Sequence, residues 1–499
     1  MTNDLTNELY RPQFHFSPQL NWMNDPNGLV YFDGEYHLFY QYHPHGTTWG
    51  PMHWGHAISR DLVHWEHAPI ALEPDEHGQI FSGSAVVDWQ DTSGFFDGEA
   101  GLVAIFTHHD QEPDSGVPRE RQSLAYSRDS GRTWTKYSGN PVLTDARFPD
   151  FRDPKVFWHT QTNQWIMILA SGQTVSIYHS ANLKEWSFAS QFGEGEGAHI
   201  GVWECPDLFE LAIDGDPART KWVMLVSIGN SPEYPEGSRT QYFIGDFDGT
   251  VFKNDASPET VAWLDGGRDN YAGVSWSDIP AKDGRRIYIG WMSNWKYAQV
   301  TPTTSWRSAM TLPRTLGLKS RKDQIIFVQQ PVHELNQLKL DTSNWEDTIV
   351  EPGQSALPVF DLSCFVIEAE FELQTAAEFG FKVRTSGLSE TMVGYEVEKQ
   401  EVFVDRSRSG EDAFHADFSG RHVVKAEAQE RRLKLHIWVD TSSIEVFAGE
   451  GEAVITDLIF PGKEEKSLEI YSLQGTVRLI SLNISPLKSI WTYTGVPAK

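Results

Sequence analysis

Short apolar runs separated by polar turns fill the first two thirds of the chain. Residues 36–42 (YHLFYQY), 102–107 (LVAIFT), 165–170 (WIMILA), 222–228 (WVMLVSI) and 286–292 (RIYIGWM) each read as a buried strand. Each follows, after a strand and a polar turn, a tight tag: Asn24-Asp25-Pro26, Ser82-Gly83-Ser84, Arg152-Asp153-Pro154, Glu204-Cys205-Pro206 and Tyr271-Ala272-Gly273. The tags recur about every 50 to 70 residues. Behind three of the strands comes an echo, Ser59-Arg-Asp61 running to Trp65, Ser127-Arg-Asp129 to Trp134, and Ser180-Ala-Asn182 to Trp186. Each reads as a hairpin turn whose tryptophan packs back on its own sheet. Similar all-β units repeated this way predict an all-β, five-bladed β-propeller over residues 1–330, against the alternative of unrelated hairpins in a sandwich. The innermost strands of a propeller run in one direction, so tags at equivalent strand ends gather around one mouth of the central channel.

The texture changes after Pro331. Residues 331–340 suit a linker or short helix, and 365–373 (FVIEAEFEL), 433–439 (LKLHIWV) and 443–447 (SIEVF) alternate with period two. Alternation of that kind means strands with one wet face, so residues 341–499 are expected to form a separate β-sandwich.

Composition narrows the function. Lys and Arg total 41 against 69 Asp and Glu, a net charge of −28, so nucleic acid and anionic membrane surfaces are poor partners. No apolar run approaches the roughly 20 residues of a membrane span. Aromatic residues make up 13% of the chain, with 19 Trp, which favours strands and stacking surfaces. Two cysteines and a polar, acidic start suit a cytoplasmic protein, although a secreted one whose leader has been removed would look the same.

Cleaving a glycosidic bond takes two carboxyl groups, one protonated and one ionised, and the tags offer three. Asp25 sits beside Pro26 and near Gly28, on a turn rigid enough for a nucleophile. Asp153 follows Arg152, whose cation is expected to keep it anionic and suited to holding sugar hydroxyls. Glu204 has the longer stem, and crowding by two anions favours its protonated form, which makes it the expected proton donor. No ligand set for a metal stands out: His53 and His56 have ligand-like spacing but lie among tryptophans and are expected to pack, and His108-His109-Asp110 reads as a loop. Cys205 is expected to be a buried filler.

Trp22-Met-Asn-Asp-Pro-Asn-Gly28, Phe151-Arg-Asp-Pro154 and Glu204-Cys-Pro-Asp207 resemble the signature motifs of the β-fructofuranosidases of glycoside hydrolase family 32, the invertase, inulinase and levanase group. Trp49-Gly-Pro-Met-His-Trp-Gly55, Phe81-Ser-Gly83, Asp269-Asn-Tyr-Ala272 and Trp306-Arg-Ser-Ala-Met310 are similar to further family blocks. Ser442-Ser-Ile-Glu-Val-Phe447 and Ile459-Phe-Pro461 are similar to its C-terminal sandwich. The resemblance implies Asp25 as nucleophile, Glu204 as acid/base and Asp153 as transition-state stabiliser in a retaining reaction that needs no metal or cofactor. It implies substrate contacts from Asn24, Gln41, Trp49, Phe81, Ser82, Arg152, Tyr271 and Trp291. The segment Ile289-Gly-Trp-Met-Ser-Asn-Trp295 is more similar to exo-acting inulinases and levanases than to sucrose-6-phosphate hydrolases. Release of terminal fructose from fructans (inulin, levan), fructo-oligosaccharides and sucrose is therefore the expected activity. The alternatives are a fructosyltransferase, an inverting hydrolase of arabinan or xylan, and a non-catalytic carbohydrate-binding propeller. The sandwich is expected to be structural or to form a homodimer contact.

Overall fold

The computed structural model describes residues 8–491 apart from 113, 323, 354–356, 359 and 388, and nearly all regular structure in it is β. Each tag lies inside the first strand of an antiparallel unit: Asn21–Phe32, Gln79–Asp88, Phe151–His159, Trp203–Ile213 and Tyr271–Ser275. The apolar runs identified by pattern are the second strands, Glu35–His43, Gly101–Gln111, Gln164–Ser171, Asp216–Ile228 and Arg286–Met292. The first strand of each unit touches that of the next, and Tyr271–Ser275 touches Asn21–Phe32, so the inner strands close a ring. This is a propeller, and the last two units share one sheet through a single parallel pairing, Ile213 with Leu318.

The tags sit at breaks in the ladder. Pairing slips between Met23 and Pro26, Phe81 and Gly83, Arg152 and Lys155, Glu204 and Asp207, and Tyr271 and Val274. Proline has no N–H to give the neighbouring strand, so Pro26, Pro154 and Pro206 fit only where the ladder is interrupted. The middle residue of three tags takes a left-handed backbone, Asp153 (φ 63°), Cys205 (φ 46°) and Ala272 (φ 53°). Each bulge turns side chains toward the channel mouth that a regular strand would spread over its two faces. Gly28 (φ 57°) completes the first tag, because a Cβ there would stand 2.6 Å from the Phe39 ring and 2.8 Å from Trp54.

The outer turns repeat atom for atom. The indole N–H of Trp65, Trp134 and Trp186 donates to the carbonyl three residues back, on Leu62, Gly131 and Leu183, so these rings pack as the pattern predicted. His56 also packs, stacked 4.1 Å from Phe39 and bonded to His37.

Beyond the short helix His333–Leu338, a six-stranded and a five-stranded antiparallel sheet face each other over a core that includes Phe365, Phe371, Phe381, Val393 and Ile437. The expected wet face fails for Ser443–Ala448, whose residues are all buried, like those of its neighbour Ala453–Leu458, because the propeller covers them. Arg314 crosses that interface to Glu445 (2.7 Å) and Thr456 (2.6 Å), and Arg406 crosses back to Asp269 (2.6 Å). The N-terminal segment runs along the same seam, where His15 lies between Asp440 (2.8 Å) and Glu445 (3.0 Å).

Candidate active site

Asp25, Asp153 and Glu204 come from three inner strands and line one cavity of about 370 Å³ at the tag end of the channel. Their tag positions differ: Asp25 and Asp153 immediately precede the proline, whereas Glu204 stands one residue earlier, level with Asn24 and Arg152.

Cys205 sets the spacing. Its N–H donates to Asp153 Oδ2 (2.9 Å), and its thiol lies 3.5 Å from that oxygen and 3.7 Å from Asp25 Oδ2. It is buried in the core as expected and is also a donor between two carboxylates, and burial beside these anions pushes its thiol well above the ordinary range. Asp25 accepts from Asn24 Nδ2 (3.0 Å) and Ser82 Oγ (3.2 Å). Glu204 accepts from Arg152 Nη2 (3.0 Å) and from the Tyr271 hydroxyl.

Burial pushes the Asp25 carboxyl up to about 6, with the charge of Glu204 adding to it. Burial likewise pushes Asp153 up to about 8; Arg152 opposes this, and Glu204 and Asp25 reinforce it. The expectation that Arg152 keeps Asp153 anionic is therefore overturned. The guanidinium is engaged elsewhere, on Asp150 (2.7 Å), Glu120 (3.1 Å) and Glu204 (3.0 Å), and its Nε lies 4.0 Å from Asp153. Five carboxyl groups line the cavity with one guanidinium, too little positive charge to keep every acid ionised.

Asn24, Gln41, Trp49, Phe81, Ser82 and Arg152 line the cavity as the sequence predicts. The buried Gln41 amide nitrogen has no partner among the described residues and is free to donate into it. Trp49 is 41% exposed at the rim, with Phe81 edge-on at 6.3 Å. Tyr271 is buried behind Glu204, where it positions that carboxyl. Trp291 does not reach the cavity. It is fully buried against Trp22, Tyr271 and Trp295, and Trp295 provides the lining ring.

His109, Pro118, Glu120, Asp150 and Gln299 also line the cavity and were not singled out in the sequence as site residues. His109 lies on the strand Gly101–Gln111 rather than in a loop; it stacks 4.2 Å from Phe81 and bonds Glu120 (3.1 Å), its cross-strand neighbour. That pairing carries no local signal, because it depends on the register of two strands. Asp150 flanks the motif Phe151-Arg-Asp-Pro154 and Trp295 ends the quoted segment Ile289–Trp295, and those placements were the available clues.

Comparison with known proteins agrees with this arrangement. The models for the glycosyl hydrolases family 32 N-terminal domain and the glycosyl hydrolases family 32 C terminal match residues 15–331 and 332–486. A levanase of Bacillus subtilis (strain 168) is 53% identical over 492 residues, which are 98% of this chain and 72% of that protein. The crystal structure of exo-inulinase from Aspergillus awamori superposes with a TM-score of 0.89 at 37% identity, covering 97% of this chain and 99% of that one. A β-fructofuranosidase from Schwanniomyces occidentalis, complexed with fructosyl-erythritol, has a TM-score of 0.87 at 32% identity over 97% and 99% of the two chains. Matches of this extent, on a chain whose three acids stand at the bulges of three inner strands, establish that it belongs to glycosyl hydrolase family 32.

Proposed function

We propose that this chain is a retaining, exo-acting β-fructosidase that releases terminal fructose from fructans, fructo-oligosaccharides and sucrose. The observation that carries the reading is the convergence of Asp25, Asp153 and Glu204 on one cavity with a free amide donor and aromatic walls. The levanase and exo-inulinase relatives support fructans as the substrate class. The closed ring of inner strands supports five blades, with Tyr271–Ser275 opening the last.

In the first step Glu204 gives its proton to the glycosidic oxygen as the bond to the anomeric carbon breaks. Asp25, ionised above about pH 6, forms a bond to that carbon from the other face. In the second step Glu204 takes a proton from water, the water oxygen attacks the anomeric carbon, and the Asp25 carboxylate leaves. Two inversions give retention. Asp153 and the Gln41 amide hold hydroxyls of the terminal ring, and the Arg152 guanidinium and Tyr271 hydroxyl orient Glu204 between its two tasks.

Incubation with sucrose, inulin and levan, followed over time by chromatography, tests this directly. Fructose is expected as the sole early product from each polymer, and its release is lost in Asp25→Ala and Glu204→Ala. Oligosaccharides appearing first, or release surviving in either variant, would overturn the assignment.

A further inference from the structure

The propeller has a second cavity, of about 340 Å³, at the opposite mouth of the channel. It is formed where the inner strands leave the ring, by residues such as Val87, Phe157, Phe209 and Asp278. Pro154, Lys155, Cys205 and Pro206 close the channel between the two mouths, leaving a void of only about 10 Å³ there. The catalytic cavity and this one are therefore separate sites. A volume of this size falls at the lower end of the range of ligand pockets, about 300–1,000 Å³.

Its chemistry is specific. Trp89, Trp158 and Trp222 line it, and the Trp89 ring is 60% exposed and held at its edge by an N–H bond to Asp278 (2.9 Å). Trp158 and Trp222 add half-buried aromatic surface to the lining. Arg286 lies over Phe209 (5.1 Å) and, among the described residues, bonds through Nη1 alone, at 3.2 and 3.5 Å, which leaves its Nε and Nη2 uncommitted to them. Lys155 is held by Ser275 O (2.6 Å) and Asp207 (3.4 Å). The two cations face Asp207 and Asp278, with Asp88 and Glu210 also on the lining, so there is no positive excess to hold an anion. Exposed aromatic faces beside unpaired donors, without net positive charge, fit a neutral polyhydroxy ring.

We propose that this second mouth is a non-catalytic carbohydrate-binding site that takes fructosyl units of the polymer while another chain end occupies the catalytic cavity. That the sugar is a fructan rests on the function proposed above; that the site takes a neutral sugar rests on its lining alone. Holding a polymer at one mouth raises the local concentration of chain ends at the other, which lies roughly 17 Å away, the five residues of inner strand from Glu204 to Phe209. Small substrates gain nothing from this.

The test compares the full chain with Trp89→Ala, a change at an exposed ring. The variant is expected to lower kcat/KM for levan by about fivefold, the loss of one good aromatic contact, and to leave kcat/KM for sucrose unchanged. In native gels cast with levan, Glu204→Ala protein is expected to be retarded less when it also carries Trp89→Ala. Unchanged levan kinetics and unchanged retardation, in a protein that hydrolyses levan, would overturn the second site. Failure of the parent to hydrolyse any fructan would overturn the function instead, and Trp89-dependent retardation would still support the site. Calorimetric binding of inorganic phosphate that is lost in Arg286→Gln would overturn the neutral-sugar assignment.

Discussion

Two regions of this molecule bury carboxylates and treat them in opposite ways. At the seam between propeller and sandwich, Asp440 and Glu445 enclose His15, and Arg314 reaches Glu445 from the other side. Burial opposes charge there, but the close cations prevail: Asp440 falls to about 2, Glu445 is lowered, and His15 rises to about 9. At the catalytic mouth, burial is matched by one guanidinium among five carboxyl groups, and Asp25 and Asp153 rise to about 6 and about 8. The residue types are the same, and the ratio of cations to anions decides the outcome. The seam uses buried charge to fix how the domains meet, whereas the mouth leaves carboxylates short of partners and so keeps one able to attack near neutral pH.

The sharpest way to break this comparison is to remove charge from the mouth. Asp25→Asn and Glu204→Gln are expected to lower kcat/KM for sucrose by at least about 10³-fold, without lowering the thermal midpoint, because each substitution relieves crowding among the acids. A loss of stability comparable to a core mutation would place these groups in the scaffold instead. Removing charge from the seam should do the reverse. Arg314→Met leaves buried Asp265 without its cation and Glu445 with His15 alone, and is expected to cost roughly 3–5 kcal/mol in urea unfolding, while the folded fraction retains its kcat.

pH acts on both regions with the same sign but over different windows. His15 binds its proton more tightly folded than unfolded, so its contribution is fully present below about pH 6.5 and lost as pH rises through about 9. The change is on the order of 3 kcal/mol and should be missing in His15→Gln. Asp153 is also raised, so the folded protein holds more protons than the unfolded one between the ordinary carboxylate range and about pH 8, and stability falls with pH across that window. Asp153→Asn keeps the acceptor for the Cys205 N–H, removes that slope and is expected to add about 1–2 kcal/mol near pH 8. A smaller effect is expected at Glu120, which accepts from the Phe151 N–H (2.7 Å) and from Arg152. Glu120→Gln keeps the first bond and weakens the second, and should lower kcat/KM for sucrose by about tenfold, chiefly through kcat as Glu204 loses its alignment.

What the sequence made legible follows from which constraints are local. Proline two residues into a tag marks a ladder break wherever it falls, so Asp25, Asp153 and Glu204 could be found without a structure. The repeated Ser-x-Asp/Asn turns closed by a tryptophan were equally visible. The charge environment was not. Arg152 looked like the partner of its neighbour Asp153, but its ends are taken by Asp150, by Glu120 from the adjacent unit and by Glu204 from the next. Trp291 and Trp295 sit four residues apart in one motif, yet the strand Arg286–Met292 fixes the first in the core and the chain leaving it carries the second to the cavity. The strand Ser443–Ala448 reads as half-wet because its second buried face is made by a domain more than a hundred residues away.

The most direct test of the claim that buried carboxylates without a close cation set the chemistry is the pH dependence of kcat/KM for sucrose in the unmodified protein. The account predicts an acid limb centred near pH 6, one proton steep, where Asp25 in the free enzyme takes up its proton. A rate that stays level down to pH 4 would show Asp25 to be an ordinary ionised carboxylate and would contradict the account.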